Sequence, residues 1–187
     1  MKRSFAILVV LAVGCLGSAQ AADLKELLGT AGQQAEQGQN AKAVETLRQA
    51  LAQAWAKAPL GVRRAVLVNK KAQAFSRYQP RKDNVYSGQE PVVIYVEPMG
   101  YKFKRQGDFF NFGFSVDFAF LSSEGKVLAG QRGFGKWSFD AREPAFECFL
   151  NLTYTLTGVP PGKYAIETTL HDIHGGQFSF QVPVVFK

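Results

Sequence analysis

The stretch FFNFGFSVDFAFL, residues 109–121, decides the fold class of this 187-residue chain. Apolar side chains occupy every even position from Phe110 to Phe120, whereas the odd positions between them include Asn111 and Asp117. Successive side chains of a β-strand point to opposite faces, so this period of two predicts a strand with one core face and one solvated face. We expect the surrounding domain to consist of half-buried antiparallel strands.

Four further segments alternate in the same way, at residues 92–96, 145–157, 164–170 and 178–186. Turn-forming sequences connect several of them, at residues 122–125, 158–162 and 172–176. No helical pattern interrupts these segments. Residues 60–187 are therefore predicted to form an antiparallel immunoglobulin-like β-sandwich, with a closed barrel as the alternative. Isolated bulges near Trp137 are expected at Gly130, Gly133 and Gly135.

Residues 23–58 have a different period and a different composition. They are rich in Ala, Gln and Leu and contain no Pro, which is typical of helices. Two apolar stripes with three- and four-residue spacing predict a helical hairpin, with Asn40 as the N-cap of the second helix. Ala43, Leu47 and Ala50 resemble the small-large-small positions of a single tetratricopeptide-type unit. Since one such unit cannot bury its own face, we expect the hairpin to pack on the domain that follows.

The N-terminus predicts export. Two cations precede an apolar run, Phe5–Val13, and residues 19–21 fit a small-x-small cleavage site. The run is shorter than the roughly 20 apolar residues that a membrane-spanning helix needs. We therefore expect a cleaved signal peptide over 1–21, no transmembrane segment in the mature chain, and a periplasmic or secreted protein. The residues up to Cys15 resemble a weak lipoprotein signal, so a lipoprotein anchored at Cys15 is the alternative.

Residues 59–82, hereafter the basic segment, have the most unusual charge pattern in the chain. They contain no acidic residue and seven cations: Arg63, Arg64, Lys70, Lys71, Arg77, Arg81 and Lys82. These seven charges equal the net charge of the whole chain, which is +7, so the basicity of the chain is confined to this segment. Clustered cations attract anions, and an exported protein meets lipid head groups, anionic glycans and envelope proteins rather than nucleic acid. We predict binding of such a partner here; the alternative is a row of solvated charges that protects an edge strand.

Aromatic side chains supply a second hypothesis. The faces of Tyr101 and Trp137 do not follow from the strand pattern. Exposed aromatic rings would suit stacking on sugars, as in a carbohydrate-binding module. The alternative is that these rings form the floor beneath the helical hairpin.

The two histidines of the chain, His171 and His174, are weak candidates for a metal site. A transition metal needs three or four converging donors. Strand parity places His171 at the surface, and the neighbouring Asp172 begins a turn, so turn and surface roles are favoured over metal binding.

Signatures of catalysis are missing from the sequence. It contains no Gly-rich phosphate loop, no Gly-x-Ser-x-Gly elbow and no Cys-x-x-Cys motif. Cys148 alternates with Phe146 and Leu150, so we expect a core-facing thiol that is inert. The sequence therefore predicts a binding or accessory module without enzymatic activity and without a cofactor.

Three runs near the C-terminus carry a resemblance to known proteins. They are LTGVPPGKY at 156–164, TLHD at 169–172 and VPVVF at 182–186. They resemble the last strands of immunoglobulin-like domains in bacterial envelope proteins, and the whole of 60–187 resembles uncharacterised small secreted proteins of Gram-negative bacteria. The resemblance implies a fold and a compartment, and it implies no catalytic residues.

Overall fold

Two helices precede nine β-strands in the computed structural model, which describes residues 23–88 and 90–187. The helices are α1, Leu24–Glu36, and α2, Asn40–Lys57. The prediction of a mainly β chain that begins with a helical hairpin is confirmed. The signal peptide predicted over 1–21, and with it Cys15, lies outside the described residues. Within the described ranges, neither helix combines the length and apolar character that crossing a bilayer requires.

The helical hairpin is held together by small side chains. Asp23 caps α1 by accepting a hydrogen bond from the Glu26 amide at 2.8 Å. The prediction that Asn40 is the N-cap of α2 is wrong, because Asn40 is the first residue of the helix. Gln39 is the N-cap, and its side chain makes no capping hydrogen bond. Three alanines are among the buried side chains of the helices, which lets the two helices approach closely. These buried residues are Leu27, Ala31, Ala43 and Ala50.

The strands form two sheets. The smaller sheet contains Gly61–Val68 (β1), Val92–Met99 (β3) and Leu150–Tyr154 (β7), in the order β1-β3-β7. The larger sheet contains Val85–Tyr86 (β2), Lys104–Gln106 (β4), Phe109–Ser122 (β5), Val127–Ala141 (β6), Gly162–Asp172 (β8) and Gln177–Phe186 (β9). Its order is β2-β9-β8-β5-β4, with β6 also paired to β5. All pairs are antiparallel except β2 with β9.

One hydrophobic core lies between the inner faces of these curled sheets. The core face predicted for 109–121 is observed in β5, where Phe112, Phe114, Val116 and Phe120 are buried, but the opposite face is not solvated throughout, since Asn111 and Leu121 are buried too. The smaller sheet contributes Val92, Ile94, Val96, Leu150, Leu152 and Tyr154. Full burial of one such side chain is worth about 1.5–3 kcal/mol, so this core is the main source of stability.

Strand β6 is the main element that the sequence did not predict. Gly130, Gly133 and Gly135 lie inside this continuous strand, and the expected bulge is observed at Gly133, which falls in the register shift between Gln131 and Gly135. A Cβ on Gly135 would clash with the ring of Trp137, and one on Gly130 would lie 2.8 Å from the carbonyl oxygen of Phe118. Neighbouring groups thus occupy the space of these side chains. Because the glycines remove the apolar alternation, the strand is invisible to a periodicity argument.

Helix α2 contacts the chain after β3 and the chain before β7 through its last turns. The indole N–H of Trp55 donates a hydrogen bond to the carbonyl oxygen of Tyr101 at 2.8 Å. The centre of the indole ring lies 5.1 Å from the ring centres of both Tyr101 and Phe146. The expected packing of the hairpin on the following domain is therefore observed, with Trp55 in contact with both Tyr101 and Phe146.

Lys102 closes the C-terminal end of α2. Its ammonium group donates hydrogen bonds to the carbonyl oxygens of Ala56 and Ala58, at 2.8 and 2.9 Å. These carbonyls have no partner within the helix, and a cation here also interacts favourably with the helix dipole. The outer face of the hairpin, in contrast, stays exposed at Leu28, Val44, Leu47 and Leu51.

Replacement of Trp55 by Ala should loosen this attachment. We expect W55A to lower the free energy of unfolding by about 2 kcal/mol, less than the roughly 3–5 kcal/mol of a fully buried Trp because this ring is only partly covered. Urea unfolding provides the measurement. The control is L47A on the exposed face of the same helix, which should change the free energy by no more than about 0.5 kcal/mol. Equal losses in both variants would contradict the role given to Trp55.

Candidate functional site

The basic segment covers the outer face of the smaller sheet. It begins as strand β1, residues 72–78 then cover the face of β3, and residues 79–81 return beside the end of β1. A second, smaller apolar cluster fills the space beneath this cover; it comprises Val68, Ala72, Val93 and Tyr95, with Val66, Tyr78 and Phe149 packed against it. Strand β3 is consequently buried on both faces, which accounts for the nearly unbroken apolar run VVIYV.

Hydrogen bonds from the sheet fix the backbone of the cover. Asn151 on β7 bonds both polar groups of Ala72, accepting from its N–H at 2.8 Å and donating to its carbonyl at 2.9 Å. The Ser76 amide donates to the hydroxyl of Tyr95 at 2.8 Å. The ring of Tyr78 stacks on that of Tyr95 with a centroid distance of 4.3 Å. Residues 72–78 therefore form a defined surface.

A buried carboxylate, Glu97 on β3, binds the arginines of the neighbouring strand β1. Its side chain is 1% exposed. Tyr95 donates its hydroxyl hydrogen to Oε1 at 2.7 Å, and burial raises the pKa of Tyr95 to about 12, so this donor keeps its proton. Nη2 of Arg63 lies 2.5 Å and Nε of Arg64 3.7 Å from Oε2. No described group makes a hydrogen bond of normal geometry to Oε2, so the guanidinium groups balance its charge as ion pairs.

Aromatic rings hold the two arginines on the solvent side. Arg64 donates to the hydroxyl of Tyr78 at 2.6 Å, and this bond raises the pKa of Arg64. The guanidinium of Arg63 lies 5.4 Å from the centre of the Phe75 ring, a cation–π distance. Both side chains remain about half exposed. They stand on an edge strand, since β1 pairs with β3 alone among the described strands, and their position fits the alternative of edge protection.

Arg81 has a structural role and is not a free cation. It bonds Glu90 at 2.5 Å and the carbonyl of Val85 at 2.5 Å. Its guanidinium lies 4.2 Å from the centre of the Tyr86 ring. The hydrogen bond with Glu90 is the main cause of a raised pKa of Arg81. With a side chain that is only 17% exposed, Arg81 pins the chain after the basic segment.

The remaining four cations of the basic segment are exposed: Lys70, Lys71, Arg77 and Lys82. None of them forms an ion pair with a carboxylate of the described residues. Three of the four, together with Gln73, Tyr78 and Gln79, line one open groove of about 300 Å³. Of the seven predicted cations, the structure thus brings together Lys70, Lys71 and Arg77 around a concave surface.

The two predicted aromatic contacts have different positions. Tyr101 is fully buried and stacks on Phe112, so the prediction that it contacts a ligand at the surface is wrong. The reason is its place in the core beneath Trp55, which corresponds to the alternative of a floor under the hairpin. Trp137 is partly exposed on β6 and lines a wide groove of about 500 Å³ beside Ile173.

The two histidines bond different partners. His171 lies 2.9 Å from a carboxylate oxygen of Asp117, and His174 lies 3.0 Å from the side-chain oxygen of Asn111. Asp172 accepts from the amides of Lys102 and His174, at 2.7 and 2.8 Å, which is the predicted turn role. No cluster of three or more His, Cys, Asp or Glu suited to a metal occurs in the described part of the chain.

Cys148 is buried, as its alternation predicted. Burial raises the pKa of its thiol to about 12. The thiolate, which is the reactive form of cysteine, is therefore scarce at neutral pH. The structure gives Cys148 the properties of a core side chain.

Glu97, Tyr95 and Asn151 are site residues that the sequence did not reveal. Strand parity puts Tyr95 opposite the face of Val92, Ile94 and Val96, but parity alone does not show that the basic segment covers that face. The available signal was a carboxylate at the end of the apolar run VVIYV, because a carboxylate in a buried strand requires a cationic partner.

Comparisons with known proteins give no family for this chain. No protein-family model and no curated protein matches it. Among solved structures, the sporulation control protein Spo0M of Bacillus subtilis matches with 15% identity and a TM-score of 0.38, over 70% of this chain and 50% of its own. The Pseudomonas fluorescens alkylpurine DNA glycosylase AlkC matches with 13% identity and a TM-score of 0.39, over 81% of this chain and 40% of its own. This chain thus spans half or less of the length of either neighbour.

One prediction is corrected by these neighbours. The sequence predicted a protein without enzymatic activity, yet AlkC is named as an enzyme, so that prediction is not retained. The low TM-scores carry no argument for a glycosylase activity either.

Loss of the negative charge at Glu97 should destabilise the fold. In E97Q both arginines lose their buried counter-charge, and we expect the free energy of unfolding to fall by about 1–2 kcal/mol. Urea unfolding tests this, with E124Q in the exposed β5–β6 turn as a control that should change little. An E97Q protein as stable as the wild type would contradict the role of Glu97.

The carboxyl group of Asp117 is expected to make a pH-dependent contribution to stability. The Gly133 amide, with help from His171, lowers the pKa of Asp117. The ionised group therefore adds stability above its unfolded pKa of about 3.9, and this contribution is lost as the pH falls through the folded pKa. We expect D117N to be less stable than the wild type at pH 6, by less than about 1 kcal/mol. The difference should vanish near pH 2.

Unfolding in urea at both pH values provides the measurement for Asp117. D108N, which alters an exposed aspartate in the turn before β5, serves as the control and should show no such pH-dependent difference. A difference between D117N and the wild type that stays constant from pH 6 to pH 2 would rule out this contribution.

Proposed function

We propose that this chain is an exported binding module whose basic segment engages an anionic component of the bacterial envelope, or a protein partner with an acidic surface. A single observation carries the proposal. Lys70, Lys71 and Arg77 line one groove, and none of them is paired with a carboxylate of the described residues. Cations that only protected an edge strand would have no reason to converge around a concave surface.

The rigidity of this surface supports the proposal. The loop between Ala72 and Tyr78 is bonded to Asn151 and Tyr95, so the cations are presented on a fixed backbone. Because this backbone is already ordered, anion binding has to order only the cationic side chains, which favours binding. The anchored arginines, Arg63 and Arg64, add positive potential beside the groove.

The cellular compartment and the immunoglobulin-like topology are part of the same proposal. We infer from the predicted export signal that the protein acts in the periplasm or outside the cell, where lipopolysaccharide, anionic glycans and lipid head groups are the abundant anions. Two sheets around one core are compatible with an immunoglobulin-like sandwich over 60–187, the fold typical of the envelope proteins that the C-terminal runs resemble. A carbohydrate-binding module built on Tyr101 is not retained, because that ring is buried.

Removal of the three groove cations should abolish most of the binding. At low salt, we expect a K70Q/K71Q/R77Q variant to bind purified lipopolysaccharide or phosphatidylglycerol vesicles at least about ten-fold more weakly, since each Lys or Arg near an anionic surface contributes about 1 kcal/mol. Binding of the wild type should itself weaken as salt is raised. Co-sedimentation and light scattering measure both effects.

A control with the same loss of charge separates local from general electrostatics. K104Q/K126Q/K163Q removes three exposed cations outside the basic segment. We expect this control to bind nearly as well as the wild type. Equal losses in the two triple variants would refute a specific site, and no binding of the wild type to either anion at low salt would refute the anion proposal itself.

A further inference from the structure

The groove in the basic segment contains more than charge. Two side-chain amides, Gln73 and Gln79, stand among its cations, and both are exposed. Neither amide is bonded to another described side chain. An amide both donates and accepts hydrogen bonds, so it matches a hydroxyl group, whereas a bare phosphate or carboxylate offers acceptors only. The groove is thus equipped for a ligand that carries hydroxyl groups as well as negative charge.

Tyr78 gives the groove an aromatic wall. The ring stacks on Tyr95 at 4.3 Å, and Arg64 bonds its hydroxyl at 2.6 Å. Its orientation is thereby fixed before any ligand arrives. The guanidinium of Arg64 also lies 5.9 Å from the ring centre, so the part of the ring that lines the groove is the surface left for packing against the C–H face of a sugar.

The basic segment lacks what insertion into a bilayer requires. Of the large apolar side chains that are exposed among the described residues, none lies within residues 59–82. Ala72 is buried beneath the cover, and Phe75 is partly covered under Arg63. The groove is open to solvent, and its volume of about 300 Å³ can accommodate one or two sugar rings.

We infer that this groove binds an anionic carbohydrate, with a sugar ring against Tyr78, its hydroxyl groups on Gln73 and Gln79, and its carboxylate or phosphate between Lys70, Lys71 and Arg77. The inference rests on the proposed function and narrows its ligand to a sugar acid or sugar phosphate. The same anionic group on a lipid or a mineral polymer would lack contacts to the ring and the amides.

Three probes separate these ligands in titrations of the purified protein at low salt. Polygalacturonate is a chain of sugar acids, polyphosphate carries charge without sugar, and phosphatidylglycerol vesicles present charge on a bilayer. We expect polygalacturonate to bind more tightly than polyphosphate of equal charge. Q73A/Q79A and Y78L should each weaken polygalacturonate binding about five- to ten-fold and leave polyphosphate binding within about two-fold. K71Q should weaken the binding of both polymers.

The variants also control for folding. Gln73 and Gln79 are exposed, so their replacement leaves the fold intact, and retained polyphosphate binding reports an intact groove in Y78L. Equal affinity for the two polymers, equal effects of Q73A/Q79A on both, or binding to the vesicles alone would overturn the carbohydrate assignment and leave the anion proposal standing. No binding to any of the three probes or to lipopolysaccharide would overturn both.

Discussion

The buried carboxylate of Glu97 is the constraint on which the outer layer of this protein depends. A charge that is 1% exposed is costly unless opposite charges and hydrogen bonds reach it. Two arginines of β1 and the hydroxyl of Tyr95 meet that need. Tyr95 in turn receives the Ser76 amide and the ring of Tyr78. One acidic side chain thereby connects the edge strand, the central strand and the loop that covers them.

Six of the seven cations of the basic segment fall into two sets, and the seventh, Lys82, is exposed outside the groove. Arg63, Arg64 and Arg81 face carboxylates and hold the fold, whereas Lys70, Lys71 and Arg77 face solvent around a groove. The residue types match the division. The planar guanidinium groups of arginine suit the ion pairs and aromatic contacts of the first set, and flexible lysines prevail in the second. The anchored set keeps the backbone rigid, so the exposed set can act as a preformed anion site.

Periodicity predicted those parts of the fold in which each strand follows its own pattern. The alternation of β5 gave its bounds and its core face, the stripes of 23–58 gave the helical hairpin, and the parity of Cys148 gave its burial. Periodicity failed where a residue's surroundings are formed by segments that are distant in the sequence. Strand β6 was missed because glycines stand where Trp137 and β5 occupy the side-chain space. Tyr101 was misplaced because α2 covers it, and Tyr95 because the basic segment does. Likewise, the sequence shows the seven cations, but which of them are anchored depends on where Glu97 and Glu90 lie in the fold.

The proposed binding surface depends on residues 72–78 being bonded to the sheet rather than forming a mobile charged loop. Amide hydrogen exchange followed by NMR tests this directly at Ala72 and Ser76, whose N–H groups donate to Asn151 and Tyr95. We expect both amides to be protected well above the rate of an unstructured chain, with protection approaching that of β3. Exchange of both amides at the rate of an open loop would contradict the fixed surface.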